Sequence, residues 1–271
     1  MKVSIIVAVY KDVEALSLIV SALKLQTYKN FELIVAEDGN AEEMKKFVSS
    51  INGIDVKHTT QEDRGVRKAR SQNNGILASS GEYLIFIDGD CIPYSTFIAG
   101  HVALCEQNTL LSGRRVNLPA SYSSNLRDGK VLAYDIESNY FRYISFVLDK
   151  SIRYKQGLYF DPEGMLYKLL SQREISTSIL GCNFSCFKKE MLAMNGFDES
   201  YGETAISDDV DLEWRFTSLG LTFKSCKNVA NMLHLDHSAH NRGDANPLLA
   251  VMNERKKAGE FVCKTGLNTH E

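Results

Sequence analysis

Nowhere does this chain reach the roughly 20 consecutive apolar residues that a membrane-spanning helix needs. Met1-Lys2 leads straight into the apolar run Val3-Ser4-Ile5-Ile6-Val7-Ala8-Val9, which is too short for a secretory leader and lacks a cleavage site. A surplus of basic charge is missing as well. Lys and Arg number 31 against 34 Asp and Glu, a formal net charge of −3, so no cationic stripe is at hand to neutralise a nucleic-acid backbone. The six cysteines, at positions 91, 105, 182, 186, 226 and 263, stand singly in or beside apolar segments, without the spacing of a zinc ribbon or a secreted framework. Reduced, buried thiols are the expectation. Internal repeats and low-complexity segments are absent too. These absences point to a soluble, cytoplasmic protein, at most peripheral to a membrane. Its 271 residues suffice for one large α/β domain with additions, or for two small ones.

What is present is an alternation. Residues 3 to 9 are rich in β-formers and almost continuously apolar, the pattern of a central parallel strand covered on both faces. Val13, Leu16, Ile19, Val20 and Leu23 then fall on one helical face, with Asp12 placed as N-cap. A second strand spans Phe31 to Ala36, followed by a polar helix near 41 to 50, a short strand near Ile54 to His58 and a helix from Arg67 to Ser79. Strands and helices joined this closely predict right-handed βαβ units and a mostly parallel sheet, with ligands beyond the carboxyl ends of the strands. Further on, the pattern gives a helix over Thr96 to Gln107, a strand over Leu110 to Val116 and, after a less regular stretch, a strand over Ile179 to Phe187. A helix opening at Ser207 and ending at Leu219, a strand from Val229 to His234 and a helix from Pro247 to Cys263 complete the chain, before a polar tail that should fray.

The stretch Tyr83-Leu84-Ile85-Phe86-Ile87-Asp88-Gly89-Asp90-Cys91-Ile92-Pro93 is the most informative. Apolar and aromatic side chains make a buried strand, and two carboxylates flank a glycine at its C-terminal end. Like charges so close need water or a cation between them. One reading is a hard divalent ion, Mn or Mg, on Asp88 and Asp90, with open positions for diphosphate oxygens. The other is an acidic turn with a capping Asp. Ser207-Asp208-Asp209-Val210-Asp211 is a second acidic group, at a helix start where acids also serve as caps.

Taken in order, these pieces resemble the family 2 glycosyltransferases of GT-A fold, in particular bacterial members whose metal motif reads Asp-Gly-Asp-Cys-Ile-Pro. The resemblance rests on Val7-Ala8-Val9-Tyr10, Glu37-Asp38-Gly39-Asn40, Gly65-Val66-Arg67-Lys68-Ala69 leading to Asn73, and Asp88-Gly89-Asp90. It continues through Gly181-Cys182-Asn183-Phe184 and Asn195-Gly196-Phe197-Asp198-Glu199 to Asp208-Asp209-Val210-Asp211. It implies one GT-A domain over 1–271: a nucleotide-sugar-binding half (1–117), an irregular or helical insertion (118–178), an acceptor half (179–243) and a C-terminal helix with tail (244–271). The implied activity is transfer of a sugar from a nucleotide-sugar, a UDP-sugar first, to an acceptor hydroxyl with inversion.

The resemblance also implies roles. Asp88 and Asp90 hold the cation with His234, for which His237 is the rival and His240 a third candidate. Asp88 and Gly89 also face the donor. Asp209 is the base, Asp208 orients the acceptor and Asp211 is structural. Glu37 accepts the uracil imide proton, backbone at Val9 and Tyr10 holds base and ribose, Arg67 faces the diphosphate or an acid pair, and Asn73 contacts ribose or sugar. His58 and His101 read as ordinary surface or core residues. Partners would be the donor and a glycan or lipid-linked glycan of a bacterial capsule or lipopolysaccharide, at the inner face of the plasma membrane. The alternatives are a nucleotide-sugar-binding module without turnover, and a sugar nucleotidyltransferase. The second usually opens with a glycine-rich phosphate loop, and Val9-Tyr10-Lys11-Asp12 has no glycine.

Overall fold

The computed structural model describes residues 1–143, 156–171, 177–204, 206, 209–237 and 246–270. The opening alternation is β1 (Val3–Val9), α1 (Val13–Lys24), β2 (Phe31–Glu37), α2 (Glu42–Ser50), β3 (Asp55–Thr59), α3 (Lys68–Ala78) and β4 (Tyr83–Asp88). After it come β5 (Cys91–Pro93), α4 (Phe97–Leu104), β6 (Thr109–Ser112), β7 (Val116–Asn117), and the helices α5 (Ala120–Arg127), α6 (Ala133–Ser138) and α7 (Met165–Ser171). The last elements are β8 (Asn183–Phe187), α8 (Lys188–Ala193), α9 (Val210–Ser218), β9 (Thr222–Ser225), β10 (Met232–His234) and α10 (Asn246–Ala258).

The expected α/β architecture with a mostly parallel sheet is what the chain forms. Seven strands run in the order β3-β2-β1-β4-β8-β6-β9, and only β8 lies antiparallel to its neighbours β4 and β6. The near-continuous apolar strands are buried on both faces. Ile5 and Val7 of β1 pack with Leu16, Ile19 and Leu23 of α1, while Ile6 packs with Ile34, Phe86 and Ile76 of α3 on the other side. Gly75 lets α3 lie close, because a Cβ there would come within 2.7 Å of Ile6 Cγ2. Asp12 caps α1 as expected, accepting from the Ala15 amide at 2.9 Å, and Arg127 on α5 grips the same carboxylate at 2.7 and 2.9 Å.

Three expectations change. The strand read over Leu110 to Val116 breaks at Gly113: β6 stays in the large sheet, while β7 joins β5 and β10 in a separate three-stranded sheet. The strand read from Val229 narrows to β10, and β9 precedes it unannounced by the pattern. The polar tail does not fray. Leu267 is buried, and His270 lies between Asn74 Oδ1, at 2.6 Å, and the Glu199 carboxylate. Among the described residues, no helix is long and apolar enough to cross a membrane.

At the opposite end of the strands from the acidic motifs, Glu32 is fully buried and still ionised. It accepts from Ser4 Oγ at 2.6 Å and from the Ser80 amide and hydroxyl at 2.5 and 2.9 Å, and it pairs with Lys2 and Lys57 at 3.2 and 3.1 Å. Burial works against its charge, but these hydrogen bonds outweigh it and hold the carboxyl well below its ordinary range. Glu32→Gln is expected to cost roughly 1.5–3 kcal/mol in denaturant unfolding at pH 7. A depressed native pKa stabilises above the unfolded value and loses that contribution as pH falls below about 4.3, so the gap to wild type should close in acid. A gap that is constant from pH 7 to pH 3 would rule out the ionised Glu32 as its source.

Candidate active site

Among the described residues, a group of candidate metal ligands sits where the small sheet meets the end of β4. β10 runs between β5 and β7, so His234 pairs with Cys91 on one side and Asn117 on the other. The Leu235 amide donates to the Asp90 carbonyl at 3.0 Å, which ties the Asp-Gly-Asp turn to the end of β10. Asp90 Oδ2 then lies 3.4 Å from His234 Nε2 and 3.1 Å from His237 Nε2. Burial alone would raise the Asp90 carboxyl, but His234, the Cys91 thiol and His237 hold it well below the usual carboxylate range. Asp90, Cys91 and His234 offer ligand atoms that lie within 4.8 Å of one another. The Asp90 carboxylate and the His234 imidazole, with His237 against the same carboxylate, suit a divalent ion such as Mn and so fit the group that the motif implies.

Asp88, expected to share this cation, is paired instead with Lys68. It follows Phe86 on the α3 face of β4, whereas Asp90 lies past the Gly89 turn, beside the small sheet. Lys68 Nζ approaches Asp88 Oδ1 to 2.6 Å, an ion pair off the line of a hydrogen bond, so that oxygen keeps no hydrogen-bond donor. Gly89 is required by packing, since a Cβ would stand 2.8 Å from the Ala8 carbonyl oxygen. Lys68 was missed as a partner because sequence spacing does not show which strand end a helix start will meet.

Asp209 is anchored at the same edge. Asn183 pairs with Ile87, the residue before Asp88, and the Gly181 amide two positions earlier donates to Asp209 Oδ1. Arg115, from the break between β6 and β7, also faces this place. Burial disfavours its charge, yet Cys182, Cys91 and Asp88 around it raise its pKa further. Asp211 is structural as expected: fully buried, it accepts from Tyr201 and Trp214 at 2.9 Å each and pairs with Arg215 at 3.0 Å. Asp208 and His240 lie outside the described residues.

At the ends of β1 and β2, the Val9 carbonyl accepts from the Asp38 amide at 2.9 Å, and the Tyr10 ring is half exposed. Asp63 reaches across to this loop, with its carboxylate 2.8 Å from Lys11 Nζ and 3.3 Å from the Tyr10 hydroxyl. Asp38 fixes the facing segment through the Arg67 amide and Gln61 Nε2, both at 2.6 Å. The Arg67 guanidinium donates to the Glu62 carbonyl.

Two residues assigned to the donor are engaged by partners within the protein. Glu37 is 1% exposed, with one oxygen on the Ala41 amide and the other on His58 Nε2, each at 2.8 Å, so it turns to α2 and β3 instead of to a base. His58 is therefore its partner and not an ordinary surface residue. Asn73 is fully buried, with its amide on the Phe197 carbonyl and Glu199 Oε1 and its oxygen on the Phe197 amide. It clamps α3 to the Asn-Gly-Phe-Asp-Glu turn. His101 is a core residue, buried between Ser185 and Asn183 and pushed down to about 3 by burial, the Asn183 hydrogen bond only partly opposing it.

Among the described residues, the buried polar atoms without a hydrogen-bond partner include Thr59 Oγ1, Arg67 Nε, both amide atoms of Gln72, Asn117 Oδ1 and Asp88 Oδ1, the last ion-paired with Lys68. Each such group costs about 1–3 kcal/mol if nothing binds it.

The sequence profile described as Glycosyl transferase family 2 matches residues 4–162. An uncharacterized glycosyltransferase of Rickettsia felis is 26% identical over 132 residues, which is 47% of this chain but 22% of that protein. The chain therefore matches less than a quarter of that relative's length. Among solved structures, Staphylococcus aureus TarS 1–349 in complex with UDP-GlcNAc superposes with a TM-score of 0.59 at 12% identity, over 99% of this chain and 69% of that one. The mannosyltransferase PcManGT of Pyrobaculum calidifontis, in complex with GDP-Man and Mn2+, gives 0.55 at 11% identity, over 95% and 62%. At such identities the likeness speaks for the fold alone, a GT-A-like arrangement. The profile match covers more than half of the 271 residues, and on that ground the chain belongs to glycosyltransferase family 2.

Proposed function

We propose that the chain transfers a sugar from a nucleoside diphosphate donor to an acceptor hydroxyl with inversion, and that Asp90, His234 and His237 hold a divalent cation, Mn before Mg. The observation that carries this reading is the Asp90 carboxylate set between two imidazoles, at the sheet edge where Asp209 is also anchored. When bound, the cation supplies positive charge where the departing diphosphate gains negative charge. Asp209 takes the proton of the attacking hydroxyl. The Gly181 amide orients its carboxylate beforehand, so little reorganisation is needed. The base and ribose rest against Val9 and Tyr10, and Arg67 faces the phosphates. Glu37 is turned to His58, so UDP-sugars are the first donors to test and GDP-sugars the second. The acceptor is a glycan or lipid-linked glycan of the kind used in bacterial surface polysaccharides.

Release of nucleoside diphosphate from a panel of nucleotide-sugars tests this. A chelator is expected to lower release at least about 100-fold, and Mn to restore it. Release that ignores the chelator would remove the cation from the scheme. No release from any donor, with any divalent ion, would remove the transferase reading itself.

A further inference from the structure

Lys68 has a partner that the proposed donor would compete for. It opens α3, whose first turn carries no acid and whose N-cap residue, Arg67, makes no side-chain cap. Cations at a helix start oppose the helix dipole and are tolerated best with an anion nearby. Arg70 is taken up by Glu199 at 3.1 Å, and Nη2 of Arg67 donates to the Glu62 carbonyl. Lys68 instead crosses to Asp88 Oδ1 at 2.6 Å, with both side chains about one-fifth exposed, 22% and 23%. The contact is imperfect, since Oδ1 gains no aligned hydrogen bond from it.

A second observation lies one helical turn on. Gln72 follows Lys68 by four residues on the same face of α3, and helical side chains lean toward the N-terminus, so its carboxamide leans toward the Lys68 turn. It is fully buried, and neither its nitrogen nor its oxygen has a partner. A buried amide left unpaired is costly, so the place is built for a polar guest that the protein's own atoms do not supply.

We propose that Lys68 is a diphosphate-recognition residue held in reserve by Asp88: it neutralises that carboxylate while the cleft has no donor, and swings to the donor's terminal phosphate when the donor binds. A lysine suits this because its ammonium is a compact charge on a flexible four-carbon stem. Gln72, one helical turn along the same face of α3, takes up a phosphate or ribose oxygen once the stem has moved. The inference rests on the nucleotide-sugar reading above.

Lys68→Met keeps the stem and removes the charge. Calorimetric titration with Mn present would compare UDP with UMP, and GDP with GMP, on wild type and variant, with thermal midpoints as the folding check. The variant should lose at least tenfold in affinity for the diphosphate of whichever nucleotide the wild type binds, and less than threefold for its monophosphate. Lys68→Arg should recover part of the loss. In the absence of nucleotide, the variant should bind Mn at least as tightly as wild type, because a competing positive charge has left the cleft. Equal losses for mono- and diphosphate, or none, would overturn the role of Lys68 while leaving the transferase reading intact. A wild type that binds no nucleotide diphosphate would overturn both.

Discussion

Asp90→Asn is expected to lower kcat/KM by about 10³-fold with little change in folding, because the substitution removes charge and almost no volume. Asp90 Oδ2 is the atom that both imidazoles face, at 3.4 and 3.1 Å, so a neutral amide there weakens every contact of a cation centre at once. Each histidine alone contributes one ligand atom. Their single alanine variants should therefore fall less far and respond to added Mn, while Asp90→Asn should not. Steady-state rates across a Mn series check this. A variant that keeps more than a tenth of wild-type activity would show that the cation is held elsewhere.

Asp209→Asn should lower kcat by about 10²- to 10⁴-fold and leave the donor KM nearly unchanged, the signature of a lost proton acceptor. Asparagine can still accept from the Gly181 amide through its own Oδ1, so the anchor survives and the loss reports on chemistry. Asp211 offers a contrast two residues on. Its carboxylate is fully buried among Tyr201, Trp214 and Arg215, so a change there acts through folding. Pre-steady-state turnover at saturating donor separates the cases. A rise in donor KM with kcat intact would move Asp209 from proton transfer to binding.

The parts of the fold legible from sequence are those set by local pattern. The apolar run of β1, the Asp12 cap and the Asp-Gly-Asp turn behind β4 each follow from neighbours within a few residues. What was not legible depends on contacts between distant residues. Asn73 reads as a polar helix residue until Phe197 and Glu199 arrive to occupy its amide, and Glu37 reads as available until β3 brings His58 beside it. Asp88 and Asp90 look like one unit in sequence, yet the turn between them sends each to a different partner. The break at Gly113 is equally non-local. β6 follows its pairing with β8, while Val116 and Asn117 follow β10, and no periodicity in the segment records the switch.

The antiparallel strand wedged into the sheet bears on how the chain is made. Residues 3 to 88 supply four parallel strands with their own helices, yet Tyr83 to Ile87 wait for Asn183 to Phe187 before that edge is covered. During synthesis the bare hydrogen-bonding groups of a strongly apolar strand stay open while nearly 100 further residues emerge. Closing so long a loop is slow, which makes the half-finished polypeptide the form most exposed to chaperones and to sticking to its own copies.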